Sequence, residues 1–384
     1  MTTLARTHVA ASRRSVPPFD LILLVATLLV SVIGVVMVYT ATRGSLLAQG
    51  EDPKTFLKKQ GLFVVLGVIV MVVVALIDYR RLEPITNVLY WLIILALLGV
   101  FAVGSSAQGA ARWFSLGPLQ LQPSEFAVLA LILAVSAYCA RREADGLAWR
   151  DVFRLLIMAG IPIVLVLLQP DLGTAMIMII VTLVLLAVAG LPIRILVMLL
   201  VGTALFAVIA IESGLLHHYQ IARLTTFLNP NSHSTNPYVQ SAIYNKQQAM
   251  NAIGSGGLLG SGIGHGVATN LGYVPEQQTD FIFTAVAEQL GFVGSVAVLG
   301  LLGVIAWRVL HAAVVARDTF GRLICSGLFA FIAFSVFQNA GMTMGIMPIT
   351  GIPLPFVSYG GTAVLVFFGA VGLALSVGAR RKFR

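Results

Sequence analysis

Charge is what this sequence has least of. Asp, Glu, Lys and Arg make up 10% of its 384 residues, against roughly a quarter in soluble globular domains, which excludes a soluble fold before any segment is read. Acids are the scarcer sign, 15 against 24 Lys and Arg, for a net charge of +9. Such an excess can mark a nucleic-acid binder only when it clusters on a solvated face. Here the basic residues fall between apolar stretches, so no nucleic-acid partner is expected. Cysteine is nearly absent: Cys139 and Cys325, both inside apolar segments, exclude a disulfide framework. Histidine offers no ligand spacing, since His217 and His218 are adjacent and His265 stands in a glycine-rich loop, so no metal site is predicted from the residues. The run "GSGGLLGSGIGHG", Gly254 to Gly266, lacks both the Walker and the GxGxxG spacing and follows no strand. It reads as tightly packed or re-entrant backbone. No internal repeat stands out, which weakens an inverted-repeat transporter reading.

Hydrophobicity fills the rest, at 58% of residues and a mean hydropathy of +0.96. Apolar stretches long enough to cross a hydrocarbon core of about 30 Å recur at 20–41, 60–77, 85–103, 124–140, 153–169, 172–190, 193–212, 280–309, 321–345 and 355–379. The predicted fold is an all-α integral membrane protein, a polytopic bundle of ten transmembrane helices. Residues 1–19 form a cytosolic tail, 20–379 the membrane domain with a large outer loop at 213–279 between helices seven and eight, and 380–384 a basic cytosolic tail. With the N-terminus inside, 17 of the 24 Lys and Arg fall on the cytosolic side and 7 outside, which sets a multi-pass protein with both termini cytosolic. The first helix, behind Arg13 and Arg14, reads as an uncleaved signal anchor. Connections on the outside are the long and unusual ones, which suggests that chemistry sits on that face.

Two acids stand where carboxylates are least welcome. Asp280, in "YVPEQQTDFIFTAVAEQLGF", is predicted in the first turn of the eighth helix, because Pro275 blocks an earlier start. It reads either as a capping acid favoured by the helix dipole or as part of a site at the outer interface. Glu288 lies eight residues further, roughly 12 Å deeper, and is expected to hydrogen-bond a polar partner such as Gln338 or Asn339. In the loop before the fourth helix, Arg112 suits bidentate contact with phosphate, Trp113 is an ordinary interfacial anchor, and Pro123, Ser124 and Glu125 open the helix. In "LLQPDLGTAM", Pro170 breaks a helix and Asp171 caps the next, so Gln169 and Asp171 read as structural. The prolines and glycines of "PITGIPLPFVSYGGTA" place irregular backbone at membrane depth, tolerated only against protein or a cavity, and point to a hydrophilic cavity near Ser358.

Taken in order, "RWFSLGPLQLQPSE", "QPDLGT", "AIGSGGLLGSG", "VPEQQTDFIFTAVAEQLGF", "TFGR" and "GIMPITGIPLPFVSYGG" resemble the SEDS family of bacterial wall polymerases. Within it, the last segment and the short C-terminus are similar to the RodA branch rather than FtsW. The resemblance implies a peptidoglycan glycosyltransferase of the bacterial plasma membrane that polymerises lipid II during cell elongation. It also implies a class B penicillin-binding protein and other elongation-complex membrane proteins as partners, besides membrane lipids. The family's essential acid falls on Asp280, expected as general base. Lys59, Arg112, Arg223 and Lys246 are the outer cations available to a diphosphate, with Glu125, Gln248 and Ser358 as further substrate contacts and Gln169, Asp171 and Glu288 as supporting residues. A divalent cation, Mg or Mn, could assist at the leaving group, although no ligand cluster is legible. The chain departs from the family pattern where Val128, Met250 and Ser261 replace basic residues, and Lys246 is expected to substitute for one lost cation. A lipid II flippase or a non-catalytic scaffold are the alternatives. The acids and cations cluster on one face, which disfavours a flippase, and a scaffold would tolerate Asp280→Asn.

Overall fold

The structure, a computed structural model, describes residues 19–107, 110–116, 119–142, 146–212, 218–228 and 235–380. The N-terminal residues with Arg6, Arg13 and Arg14, His217, and Arg381, Lys382 and Arg384 lie outside the described residues. The long apolar runs form helices α1 (Leu21–Gln49), α2 (Thr55–Leu76), α3 (Thr86–Val103), α4 (Pro123–Arg141), α5 (Trp149–Leu168), α6 (Leu172–Val188) and α7 (Ile193–Glu212). After the predicted outer loop come α11 (Ile282–Val315), α12 (Thr319–Thr343) and α13 (Gly361–Ala379). Eight of these ten are long and apolar enough to cross a membrane. The exceptions are α6 and the apolar part of α7, Ile193–Phe206.

Burial sorts the helices. α13 is hydrophobic all round and almost wholly buried, so it occupies the centre, packed against α2, α11 and α12. α2 and α3 instead keep a broad exposed apolar face, with Val65, Val72, Trp91 and Leu95 pointing outward as a lipid-facing surface requires. Short caps fix several helix starts: the Asp20 carboxylate accepts from Leu23 N–H, Asp171 from Thr174 N–H and Asp318 from Gly321 N–H. The predicted Asp171 cap is therefore present.

Three expectations need correction. The fold is not purely helical, because three short strands pair antiparallel, β1 (Ser105–Ala107), β2 (Ala110–Leu116) and β3 (Leu119–Leu121). The 213–279 segment is not plain loop, since it carries α8 (His218–Leu228), α9 (Pro237–Ser255) and the single turn α10 (Val267–Asn270). The last helix starts at Gly361 rather than 355, because the proline-rich backbone before it is irregular and turns at 355–357, where Phe356 takes a φ of 64°.

α11 is broken at Gly291, whose φ of 66° and ψ of −167° are not helical. The glycine run fills the break: Ser261 N–H donates to Glu288 O, Gly262 N–H to Gln289 O, Phe292 N–H to Gly257 O and Val293 N–H to Leu258 O. A Cβ on Gly256 or Gly260 would collide with the α11 carbonyls of Ala287 and Gln289. Glycine is thus required for backbone to meet backbone, and of the two readings of this run the tightly packed one is observed.

Candidate active site

The first turns of α2, α4 and α6 open onto one cavity of about 560 Å³, closed by α8, by the turn leading into α11 and by the irregular segment before α13. That volume falls within the roughly 300–1,000 Å³ usual for ligand sites. Its wall holds Asp280, Glu125, Asp171 and Glu276, the cations Lys59, Arg112 and Arg223, and deeper apolar residues such as Val128, Phe331 and Phe367.

Asp280 does not lie in the first turn of a helix. α11 begins at Ile282, and Asp280 belongs to the preceding turn, where its N–H and that of Thr279 donate to Glu276 O. It caps nothing, so the capping reading fails. Two long-range ties hold the turn. Asn339 Nδ2 donates to Asp280 O at 2.8 Å and to Ile352 O at 2.7 Å, and the Ser358 hydroxyl donates to Thr279 O at 2.6 Å while accepting from Leu354 N–H. Tyr359 N–H adds a bond to Gln278 O. Gly351 sits against the carboxylate: at φ +77°, a Cβ there would stand 3.2 Å from Asp280 Oδ2 and 3.7 Å from Arg223 Nη1.

The Asp280 carboxylate is half-buried and receives no hydrogen bond from the described residues. Burial raises it to about 6; the Arg223 charge opposes the rise, Glu276 adds to it, and Arg112 and Asp171 act more weakly in the same opposed senses. An aspartate so poised is ionised at neutral pH yet basic enough to accept a proton.

The cations are held by other partners. Arg112 donates from Nε to Gln169 O at 2.9 Å and from Nη2 to Pro170 O and to the Tyr219 hydroxyl, which itself donates to Pro170 O. The Arg223 guanidinium lies over the Tyr219 ring at 5.6 Å, and Lys59 Nζ lies 5.8 Å from the centre of the Phe56 ring. Asp171 accepts from Thr174 N–H through one oxygen and from Gln122 and Ser124 through the other. Gln169 donates to Leu97 O, tying α3 to the end of α5.

Four predicted residues lie elsewhere. Ser358 is buried beneath the cavity wall and acts through Thr279 and Leu354; its neighbours Tyr359, Gly360 and Gly361 face the cavity instead. Lys246 packs its chain against Gly345 beside Met250, and neither it nor Gln248, on the same helix α9, lines the cavity. No substitute for a lost cation reaches the cavity from that position. Glu288 is not paired with Gln338 or Asn339. The break in α11 brings α10 to it, and it accepts from Ala268 N–H at 2.7 Å, Thr269 N–H at 3.0 Å and the Thr269 hydroxyl. Gln338 meanwhile donates to Pro348 O and Thr350.

Residues that sequence reasoning passed over include Gln122, Glu276, Gly351 and Tyr219. Tyr219 and Arg223 are four apart on α8, the spacing at which a helix stacks cation on ring, and that signal was available in "HYQIARL". Among the described residues no group of three or more His, Cys, Asp or Glu converges as a metal shell.

Comparison with known proteins places this geometry. The FtsW, RodA and SpoVE family, described as cell cycle proteins, matches residues 20–382. The chain is 37% identical to peptidoglycan glycosyltransferase MrdB of Escherichia coli K12 over 335 residues, 87% of this chain and 88% of that one. It is 34% identical to stage V sporulation protein E of Bacillus subtilis over 364 residues, 93% and 96% of the two chains. It is also 33% identical to a probable peptidoglycan glycosyltransferase FtsW of Trichlorobacter lovleyi over 369 residues, 95% and 94%. Among solved structures, Thermus thermophilus rod shape determining protein RodA superposes with a TM-score of 0.70 at 29% identity, covering 95% and 98% of the chains. A chain of a peptidoglycan synthase complex, described as coordinating polymerization and crosslinking, superposes with a TM-score of 0.77 at 30% identity, covering 94% and 97%. From the first transmembrane helix to the last, this chain belongs to the SEDS family of FtsW, RodA and SpoVE proteins.

Proposed function

We infer that the chain is a peptidoglycan glycosyltransferase of cell elongation that polymerises lipid II in the outer half of the plasma membrane, with Asp280 as general base. The observation that carries the role of Asp280 is its unpartnered carboxylate, raised toward neutrality, in a cavity that also holds Lys59, Arg112 and Arg223. The family and the names of its relatives support the activity.

The reaction needs one displacement. The acceptor's 4-hydroxyl oxygen attacks the anomeric carbon of the lipid-linked sugar, the bond from that carbon to the diphosphate oxygen breaks, and the configuration inverts. Asp280 takes the hydroxyl proton, and the departing undecaprenyl diphosphate carries the bonding electrons into the field of Lys59, Arg112 and Arg223. Arg112 uses Nε and Nη2 on backbone carbonyls and a hydroxyl, which fixes its plane, and Nη1 makes no bond to the described residues and can meet an oxyanion. Holding base and cations on separate elements of a rigid bundle keeps them from neutralising each other before substrate arrives.

The same reading gives α6 and α7 as full membrane crossings, ten in all, with both termini cytosolic and the cavity outside. It places the chain in the RodA branch and gives it a class B penicillin-binding protein as transpeptidase partner, in line with the synthase-complex neighbour. The test uses the full chain with that partner and labelled lipid II, resolving glycan strands on a gel. The parent makes strands and Asp280→Asn does not; strands from both at equal rate remove Asp280 as the base.

A further inference from the structure

A second pocket, of about 240 Å³, lies apart from the cavity of Asp280, between the last turns of α1 and the segment around α10. Arg43, Gly44 and Leu47 line it from α1, Gly264 and Asn270 from the other side, and none of the five lines the larger cavity. Close packing builds it: a Cβ on Gly44 would collide with the Asn270 carbonyl, and Asn270 Nδ2 donates to Gly264 O at 2.9 Å. The Arg43 guanidinium lies beside Gly264, where a Cβ would stand 3.9 Å from Nη1. Among the described residues Arg43 has no hydrogen-bond or ion-pair partner, the Asn270 amide keeps a second hydrogen unused, and no acid lines the pocket.

Depth decides what meets that arginine. At the opposite end of α1, Asp20 pairs with Arg308 at 2.6 Å beside the exposed Trp307, the mixture of charge and aromatic ring that marks a membrane boundary. From Asp20 to Arg43 the helix rises roughly 35 Å, against a hydrocarbon core of about 30 Å. Arg43 therefore stands at the headgroup plane of the leaflet on the cavity side. Direction agrees with depth. Val25 and Val32 lie within about 20° of Arg43 around the helix and are 49% and 61% exposed, so Arg43 tops the apolar stripe that α1 turns to lipid. The anion most abundant at that plane is lipid phosphate, which a guanidinium can grip with two parallel bonds. The lining also selects among headgroups: the ammonium of a zwitterionic lipid would enter beside Arg43 and find no carboxylate, whereas a glycerol headgroup adds no second positive charge. We propose that this pocket binds the phosphate of one anionic phospholipid of the phosphatidylglycerol class, with Arg43 and Asn270 on the headgroup and the acyl chains along the Val32 and Val25 stripe. The bound lipid bridges α1 and the α10 segment, and the site does not rest on the catalytic role of Asp280.

The experiment titrates the full chain, stripped of lipid in detergent, with phosphatidylglycerol and counts bound lipid by native mass spectrometry. It compares the parent with Arg43→Gln, Arg43→Lys and Lys54→Gln, with an unfolding midpoint for each, and runs phosphatidylethanolamine, undecaprenyl phosphate and inorganic phosphate as competing probes. The parent is expected to hold one phosphatidylglycerol about tenfold tighter than phosphatidylethanolamine. Arg43→Gln should weaken that binding about tenfold, the loss of a charge-assisted contact, and Arg43→Lys, which keeps the charge without the fork, about threefold. Lys54→Gln removes an exposed cation near the start of α2, outside the pocket, and should bind like the parent. Equal affinity in the parent and Arg43→Gln overturns the proposal, as does an equal loss in Lys54→Gln, which would mean diffuse attraction rather than a site. Inorganic phosphate or phosphatidylethanolamine binding as tightly as phosphatidylglycerol, or undecaprenyl phosphate binding more tightly, overturns the choice of ligand. Should Arg43→Gln fail to fold, Arg43→Lys decides by the same comparison. Asp280→Asn should bind phosphatidylglycerol like the parent, so loss of this site and loss of the catalytic reading are told apart.

Discussion

The two ends of the bundle treat carboxylates in opposite ways. At the end where α1, α5 and α12 begin, acids meet arginines or tyrosines: Asp20 with Arg308 at 2.6 Å, Asp318 with Arg80 at 2.8 Å and Tyr79 at 2.7 Å, Asp151 with Tyr138 at 2.7 Å. At the other end, Asp280 and Glu125 face a cavity that holds three cations, yet neither forms an ion pair with a described residue. Asp318 shows the contrast in one number's direction. Burial alone would raise it, but bonds from Gly321 N–H, Tyr79 and Arg80 outweigh burial and hold it below the usual carboxylate range. Asp280 has the burial without the bonds and is raised. Charges at the first end join helices; at the second, Asp171 and Glu288 are hydrogen-bonded while Asp280 and Glu125 Oε2 receive no bond from the described residues.

The largest test of this contrast is Asp280→Asn, expected to lower polymerisation by about 10²–10⁴-fold, the range for removing a general base. The same change should stabilise the fold by about 1–2 kcal/mol, because a desolvated charge is removed from a functional site. Strand formation on gels and unfolding in detergent check the two halves. Glu288→Ala would break the contrast if it were harmless, since Glu288 is the bonded acid of the cavity end. Loss of its bonds to Ala268 and Thr269 should cost about 3 kcal/mol, read as a lower unfolding midpoint. Asp20→Ala removes both a cap and the Arg308 pair, for about 2 kcal/mol, with polymerisation per folded molecule unchanged. Gly351→Ala is the smallest in stability, about 1 kcal/mol for a side chain at φ +77°, but its Cβ presses on Asp280 Oδ2 and should lower kcat more than it raises KM.

Acid sharpens the contrast further. A lowered acid such as Asp318 lends stability above its unfolded value near 3.8 that is lost only as pH falls through its folded value, so the range from 7 to 5 leaves that end unaffected. A raised acid such as Asp280 costs stability at pH 7, and that cost is relieved as pH falls through about 6. Unfolding midpoints followed from pH 7 to pH 5 should therefore rise slightly in the parent and stay flat in Asp280→Asn.

The long helices were legible in the sequence because a membrane crossing needs an unbroken apolar run, which no other constraint imitates. Asp280, Lys59, Arg112, Glu125 and Arg223 were also legible, as ionisable residues rare enough to need a reason, and all five meet in one cavity. What stayed hidden depended on direction rather than identity. Lys246 and Gln248 are on a helix, not a free loop, and α9 turns Lys246 toward Gly345. The partner of Glu288 could not be read because Gly291 breaks α11 and admits α10 from twenty residues upstream, a contact between two irregular segments with no periodicity to reveal it. The sheet of β1, β2 and β3 escaped for a related reason: two of its strands are three residues long, too short to show alternation.

The most direct measurement is the pH dependence of kcat/KM for lipid II polymerisation, with the full chain and its transpeptidase partner. A base raised to about 6 predicts a rate that is level above pH 7 and falls about tenfold per pH unit well below 6, with that acid limb absent from the residual rate of Asp280→Asn. A profile flat down to pH 5 in the parent, or the same limb persisting in Asp280→Asn, would contradict the account.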